Sequence, residues 1–251
     1  MFEKSEKIRY QKHFLLPEFS HEGQKFLKES SILIIGVGGI GSPLALYLSA
    51  MGIGTLGLLD SDKIELSNLH RQVLYTEKDV GKKKAEVMFQ RIKERNSLVN
   101  LIIFDQFISK ANLFLLDDFD LIVDATDNFE TRYLLNDACY KKKKTFLSAA
   151  VEEWRGFFAL FNPYSGPCYR CLFPSLPFNK RRLSRRGVLG SVPGLISMLQ
   201  ATEIVRFFSK NFPSSFGKVH EIKTNPLEMK TFQLSTNRHC SLLHKSEKNK
   251  R

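Results

Sequence analysis

Asn68, His70 and Arg71 stand close behind an acid, Asp60, in the stretch DSDKIELSNLHRQ (residues 60–72). All lie downstream of GVGGIG (residues 36–41), where Gly36, Gly38 and Gly41 meet the pattern G-x-G-x-x-G. Such glycines let the backbone approach phosphates, and the helix that follows offers unpaired N–H groups to an anion. Asp60 lies 19 residues after Gly41, near the spacing of about 20 at which an acid meets ribose hydroxyls. Taken alone, this points to a nucleotide, with NAD as the favoured ligand. Arg71 and Lys84 argue otherwise. Two fixed cations after the ribose acid suit a triphosphate, whose charge exceeds what backbone dipoles balance. VDATDN then sets Asp127 beyond the carboxyl end of a later strand, and a carboxylate beside a triphosphate is the usual holder of Mg²⁺. The nucleotide is therefore read as substrate. The plain alternative for Arg71 and Lys84 is a pair of surface ion pairs. No Walker pattern is present, which excludes a P-loop fold.

The elements that must position these residues follow from periodicity. SILII (31–35) is a continuous apolar run before glycine, as a buried parallel strand requires. Ser42 is expected to cap the next helix, with Pro43 in its first turn and Gly52 at its end. Leu44, Tyr47, Leu48 and Met51 form its apolar face. Strands are expected at 55–60, 99–105, 119–125 and 145–150, with helices at 82–96 and near 109–116 between them. This alternation predicts an α/β fold, a Rossmann-like doubly wound sheet. After residue 150 the segments 155–163, 218–223 and 230–235 read as antiparallel strands added to a mostly parallel sheet. Residues 191–208 read as a long helix and 172–190 as a flexible connection. The chain is taken as one domain over 1–251, with its nucleotide-binding part at about 1–150 and a carrier-binding and zinc part at about 151–251. No internal repeat is found.

The charged N-terminus MFEKSEKIRYQKH excludes a secretory signal, and no run is long and apolar enough to span a membrane. A cytoplasmic protein without membrane association is expected. The net charge is +12, with basic clusters at 82–84, 141–144 and 180–186. These suit an acidic protein partner or, for 141–144, a solvated face. Nucleic acid ranks last because aromatic stacking motifs are absent. Without a secretory signal, the cysteine pair in CYRC (Cys168, Cys171) reads as metal ligands or redox thiols rather than a disulfide framework. Cys139, on a helix, reads as core.

Six motifs in order, RYQKH, GVGGIGSP, LLDSDKIELSNLHRQ, VGKKKAE, DATDNFETR and CYRC, make the chain resemble the ThiF/MoeB/HesA family of adenylyltransferases, bacterial relatives of ubiquitin-activating enzymes. The resemblance runs from about Arg9 to Cys240. It implies ATP as substrate, with Asp60 on the ribose and Asn68, Arg71 and Lys84 on the phosphates. Gly36, Gly38, Gly39, Gly41, Ser67 and Leu69 would border the nucleotide. Asp127 would bind Mg²⁺ near the α-phosphate, with Asn128 beside it. The resemblance also implies a homodimer and a small ubiquitin-like sulfur carrier, MoaD-like or ThiS-like, for molybdopterin or thiamine biosynthesis. The carrier's C-terminal glycine carboxylate would be the nucleophile, and the products an acyl-adenylate and pyrophosphate. A carboxylate needs no general base, so His70 is taken as a loop residue.

The chain departs from the family in three places. Members carry an arginine where this chain has Lys12, and that arginine reaches the partner subunit's ATP; lysine keeps the charge but loses the planar fork, and Arg9 lies near enough to compensate. The second C-x-x-C of the family's Zn²⁺ site reads here NRHCSLLH, with Leu243 in one cysteine's place. Two states are open: zinc held by Cys168, Cys171, Cys240 and His244 (His239 being the less comfortable donor), or a metal-free site. Finally, no cysteine lies between Cys171 and Cys240, and Leu183 or Ser184 stands where covalently linking members have one. With the chain ending soon after Cys240 and no rhodanese-like part, a separate sulfur donor is expected. Rival readings are a nucleotide-binding module without turnover, a tRNA-modifying relative and an NAD oxidoreductase.

Overall fold

The computed structural model describes residues 2–162, 164, 166–175, 187–213, 215–238, 240 and 242. Five strands, Ser31–Ile35 (β1), Thr55–Leu59 (β2), Asn100–Phe104 (β3), Leu121–Asp124 (β4) and Thr145–Glu152 (β5), pair in parallel in the order β3-β2-β1-β4-β5. Arg155–Phe161 (β6), Lys218–Thr224 (β7) and Leu227–Gln233 (β8) extend the same sheet antiparallel, giving the mixed α/β fold expected.

The helices are Lys4–Arg9 (α1), Gln11–Phe14 (α2), Ser20–Glu29 (α3), Gly41–Met51 (α4), Lys84–Arg95 (α5), Phe129–Lys142 (α6), Tyr169–Leu172 (α7) and Ser191–Ser209 (α8). They divide between the two faces of the sheet. Ile32 and Ile34 of β1 point into a core with Leu27 of α3, Leu48 of α4, Met88 of α5 and Ile204 of α8. Leu33 and Ile35, one residue out of phase, enter a second core with Leu135 of α6 and Tyr169 of α7. After its partly exposed first residue, Ser31, β1 is buried on both faces and has no polar position, so residues 32–35 are an unbroken apolar run. Truncating Ile34 to alanine removes about 2–5 kcal/mol of stability.

The chain builds β1, β2 and β3 outward in one direction, then returns to the other side of β1 with β4. The carboxyl ends of β1 and β4 therefore flank the point where strand order reverses, the usual ligand crevice of an open α/β sheet.

Some local expectations are corrected. Helix α4 begins at Gly41, so Ser42 lies inside its first turn rather than capping it; the Ser42 hydroxyl donates to Gly38 O at 2.7 Å. Tyr47 faces solvent, because α5 and α8 both pack on α4 and draw the buried face to Leu44, Ala45 and Leu48. The expected short helix near 109–116 is a 3-10 segment, Lys110–Asp118, kinked at Asn112. The lysines of 141–144 are not simply solvated: Lys142 pairs with Asp117 at 2.6 Å, and Lys144 donates to Asp117 O and Phe119 O. Among the described residues, no helix is long and apolar enough to cross a membrane. Of the expected connection at 172–190, residues 176–186, including Leu183 and Ser184, lie outside the described residues.

Candidate nucleotide site and thiol cluster

Residues 36–41 leave the end of β1 in a turn that only glycine satisfies at two places. Gly36 has φ +90°, and a Cβ on Gly41 would lie 1.9 Å from Gly36 O. The resulting loop faces two neighbours. A Cβ on Gly36 would meet Ala125 O at 2.9 Å, and one on Gly39 would meet Pro193 Cβ at 3.3 Å and Arg71 Cγ at 3.5 Å. The loop after β4, the start of α8 and the Arg71 side chain thus border the glycines.

Asp60 sits at the end of β2, nearly buried. Its Oδ2 accepts from Val37 N and its Oδ1 from Asp62 N, both at 2.8 Å. Burial pushes this carboxyl up, opposed by those two bonds and by Lys84. The acid is thereby locked onto the glycine loop with its remaining lone pairs open to a hydroxyl donor. Lys84 opens α5, is 6% exposed, and pairs with Asp62 Oδ2 at 2.9 Å. Asn68 ends a 3-10 turn, Leu66–Asn68, with its amide held by long contacts of 3.4 Å to Glu65 N and Ser67 Oγ. Such contacts are weak, so the amide is easily redirected to a ligand. Arg71 Nη1 donates to Ser67 O at 3.2 Å and to His70 Nε2 at 2.8 Å. Ser67 is exposed and Leu69 packs against the first core.

Asp127 lies beyond β4, exposed, and has no hydrogen-bond or ion-pair partner among the described residues. Asn128 caps α6, its Oδ1 accepting from Thr131 N at 2.9 Å. An unpartnered carboxylate next to a nucleotide-type loop fits a hard cation such as Mg²⁺. Lys12 is exposed on α2 and, among the described residues, makes no hydrogen bond or ion pair with any of these. Arg9 Nη1 donates to Arg95 O at the end of α5.

Sequence reasoning passed over what holds the acid loop. Asp124, fully buried at the end of β4, accepts from Thr126 N at 3.0 Å, Thr126 Oγ1 at 2.6 Å and Ser148 Oγ at 2.7 Å. Buried Arg132 faces Asp124 Oδ2 at 3.6 Å and donates to Thr126 O at 2.6 Å. The available signal was an acid closing an otherwise apolar strand, LIVD, followed by an arginine one helical turn into α6.

Cys168, Cys171 and Cys240 come together at the other end of α6. Their sulfur atoms lie within 4.8 Å of one another, all buried, with Cys168 Sγ 4.0 Å from Cys171 Sγ and 3.6 Å from Cys240 Sγ. Burial and the neighbouring thiols push Cys168 up to about 12. Three buried thiols converging on one point fit a soft cation such as Zn²⁺, which stabilises thiolates that burial disfavours. His239, Leu243 and His244 lie outside the described residues. Cys139 is separate and buried in the second core, as expected.

Comparison with known proteins bears on the family and the fold. The profile of the ThiF family matches residues 10–243. A curated relative from Zea mays, adenylyltransferase and sulfurtransferase MOCS3-1, is 44% identical over 201 residues, covering 79% of this chain and 43% of the relative. The MOCS3 of Xenopus laevis is 42% identical over 213 residues, 84% of this chain and 47% of that protein. The chain thus spans less than half the length of these relatives. Among solved structures, Escherichia coli MccB with MccA-N7isoASN aligns with a TM-score of 0.84 at 27% identity, over 94% of this chain and 74% of that one. MccB with ATP aligns with a TM-score of 0.81 at 26% identity, over 93% and 73%.

Proposed function

This chain belongs to the ThiF family, and on that premise we propose that it is an ATP-dependent adenylyltransferase acting on the C-terminal glycine carboxylate of a small ubiquitin-like sulfur carrier. The observation that carries the reading is the meeting, at one switch point of the sheet, of a glycine loop locked to Asp60 with Arg71 and with the loop after β4, which carries Asp127, a carboxylate without a partner among the described residues. Its ATP-bound neighbour MccB supports the choice of nucleotide.

The carrier carboxylate is ionised at neutral pH and attacks the α-phosphorus of ATP. A P–O bond forms to the carrier and the bond to the β-phosphate breaks, releasing pyrophosphate. No proton is transferred, so the residues needed are those that bring two anions together and take up the charge of the leaving group. Asp60 holds the ribose, and Asn68, Arg71 and Lys84 receive the phosphates, Lys84 exchanging Asp62 for them. Asp127 would hold magnesium, which when bound neutralises phosphate oxygens. Cys168, Cys171 and Cys240, with His244, would hold zinc in a structural role. Metal analysis of freshly purified, unchelated protein should then find about one zinc per chain.

We assign the carrier as MoaD-like or ThiS-like, serving molybdopterin or thiamine biosynthesis; relatives named for both adenylyl and sulfur transfer support this class. Residues 172–190 contain no cysteine, which favours a separate sulfur donor and no covalent enzyme–carrier link. Pyrophosphate exchange into ATP, with each carrier type offered separately, tests the reading. Carrier-dependent exchange is expected with one of them. ATP binding without exchange with either would replace it by a nucleotide-binding module without turnover, the reading that Lys12 in an arginine's place favours.

A further inference from the structure

We infer that Asp124 and Arg132 are positioning residues that aim the Asp127 carboxylate at the nucleotide-bound divalent cation, an assignment that rests on the adenylyltransferase reading above.

The loop between β4 and α6 has four residues, 125–128, and only its far end is fixed by helix capping, through Asn128 and Thr131 N. Its near end is fixed by a backbone bond from Ala125 N to Ile35 O at 2.9 Å and, at Thr126, by side chains. Asp124 takes both the N–H and the hydroxyl of Thr126, while Arg132, reaching back from α6, takes the Thr126 carbonyl at 2.6 Å. Every polar group of Thr126 is thereby held by one acid–base pair, and Asp127 is the next residue. The pair is itself anchored, since Ser148 of β5 donates to Asp124 at 2.7 Å. Arg132 also lies over the Phe129 ring, 5.4 Å from its centroid.

A charge pair this deeply buried is a poor device for stability, because desolvation offsets most of its attraction. It makes sense as a device for orientation. Among the described residues Asp127 has no partner of its own to hold it, so its direction is inherited from Thr126. Groups that orient a metal ligand from behind commonly alter metal affinity by about 10-fold to 100-fold when removed.

Mn²⁺ serves as the probe, its binding followed by electron paramagnetic resonance with a non-hydrolysable ATP analogue present, so that no turnover is needed. Arg132→Lys keeps the charge but loses the fork that spans Asp124 and Thr126 O. Thr126→Val removes one hydroxyl on a half-buried loop and leaves the buried pair intact, so it decides the matter should Arg132→Lys fail to fold. Both should weaken Mn²⁺ by about 10-fold to 100-fold while affinity for the metal-free analogue stays unchanged. Unaltered Mn²⁺ affinity in folded Thr126→Val, with Asp127→Ala losing it, overturns this inference and leaves the adenylylation reading standing. Unaltered affinity in Asp127→Ala overturns both this inference and the magnesium assignment. Pyrophosphate exchange by the wild type reports separately on the reaction.

Discussion

Arg71 borders the glycine loop at Gly39, and Asp127 belongs to the loop after β4 that borders it at Gly36; the two are asked for opposite charges. Arg71 is held by only a carbonyl and a histidine nitrogen, and Asp127 by nothing among the described residues, so neither contributes much to the fold. Their loss should therefore appear in catalysis rather than in melting. Arg71→Ala should raise the barrier by about 3–4 kcal/mol, the scale of a lost oxyanion donor, with the melting temperature unchanged. Asp127→Ala should abolish pyrophosphate exchange and likewise fold normally. Near-wild-type exchange by either variant would remove that residue from the site. Lys84 behaves differently: it is buried beside Asp62, and its replacement by alanine strands Asp62 and Asp60 without their cation.

At the scale of elements, one helix cap and one buried acid hold the segments that lead into α6 and α5. Asn128 caps α6, so Asn128→Ala should cost about 1 kcal/mol of stability. Asn128→Ser keeps a capping oxygen and should melt like the wild type. If Asn128→Ser still loses ATP affinity, the amide contacts nucleotide in addition to capping; calorimetric titration reads this directly. Asp79 performs a comparable service ahead of α5. Burial would raise its carboxyl, but hydrogen bonds from Thr76 and the Lys82 ammonium overbalance that and hold it well below the usual carboxylate range, with Arg91 of α5 at 3.2 Å. For a depressed acid, the stabilisation is complete above the unfolded value of about 3.9 and is lost as pH falls through the lower folded value. Asp79→Asn should thus destabilise the protein at neutral pH and flatten the decline of stability below about pH 4. Denaturant midpoints for both proteins across this range test it; parallel curves would refute the assignment.

At the scale of the whole molecule, Lys12 is exposed on α2 and is bonded to no site residue among the described residues. We expect it to act on the ATP of a second subunit in a homodimer. Mixing inactive Asp127→Ala subunits with inactive Lys12→Ala subunits should then restore activity, because one hybrid site is complete. No recovery despite demonstrated subunit exchange would mean that each site is made within one chain. Lys12→Arg should raise turnover if a bidentate phosphate contact is what lysine lacks.

The sequence by itself determined whatever depends on neighbours in the chain. The unbroken apolar run of β1, the glycines required at Gly36 and Gly41, and the acid after β2 are all set by local dihedral limits and by burial on two faces. The mostly parallel, doubly wound sheet was legible too, because apolar runs that alternate with helices pair in parallel, whereas the strand order was not. Errors arose where packing overrode local preference: Ser42 became an interior helical residue, and Tyr47 turned outward when two helices claimed the other side of α4. Only the tertiary structure decided which distant groups meet. Cys240 reaches Cys168 across 72 residues of chain, a meeting expected only through the family resemblance. Ser148 and Arg132 converge on Asp124 because β4 and β5 are neighbours in the sheet and α6 folds back over them. No local pattern marks such encounters. They follow from the sheet reversing direction at β1, a property of the assembled molecule that no short stretch of chain contains.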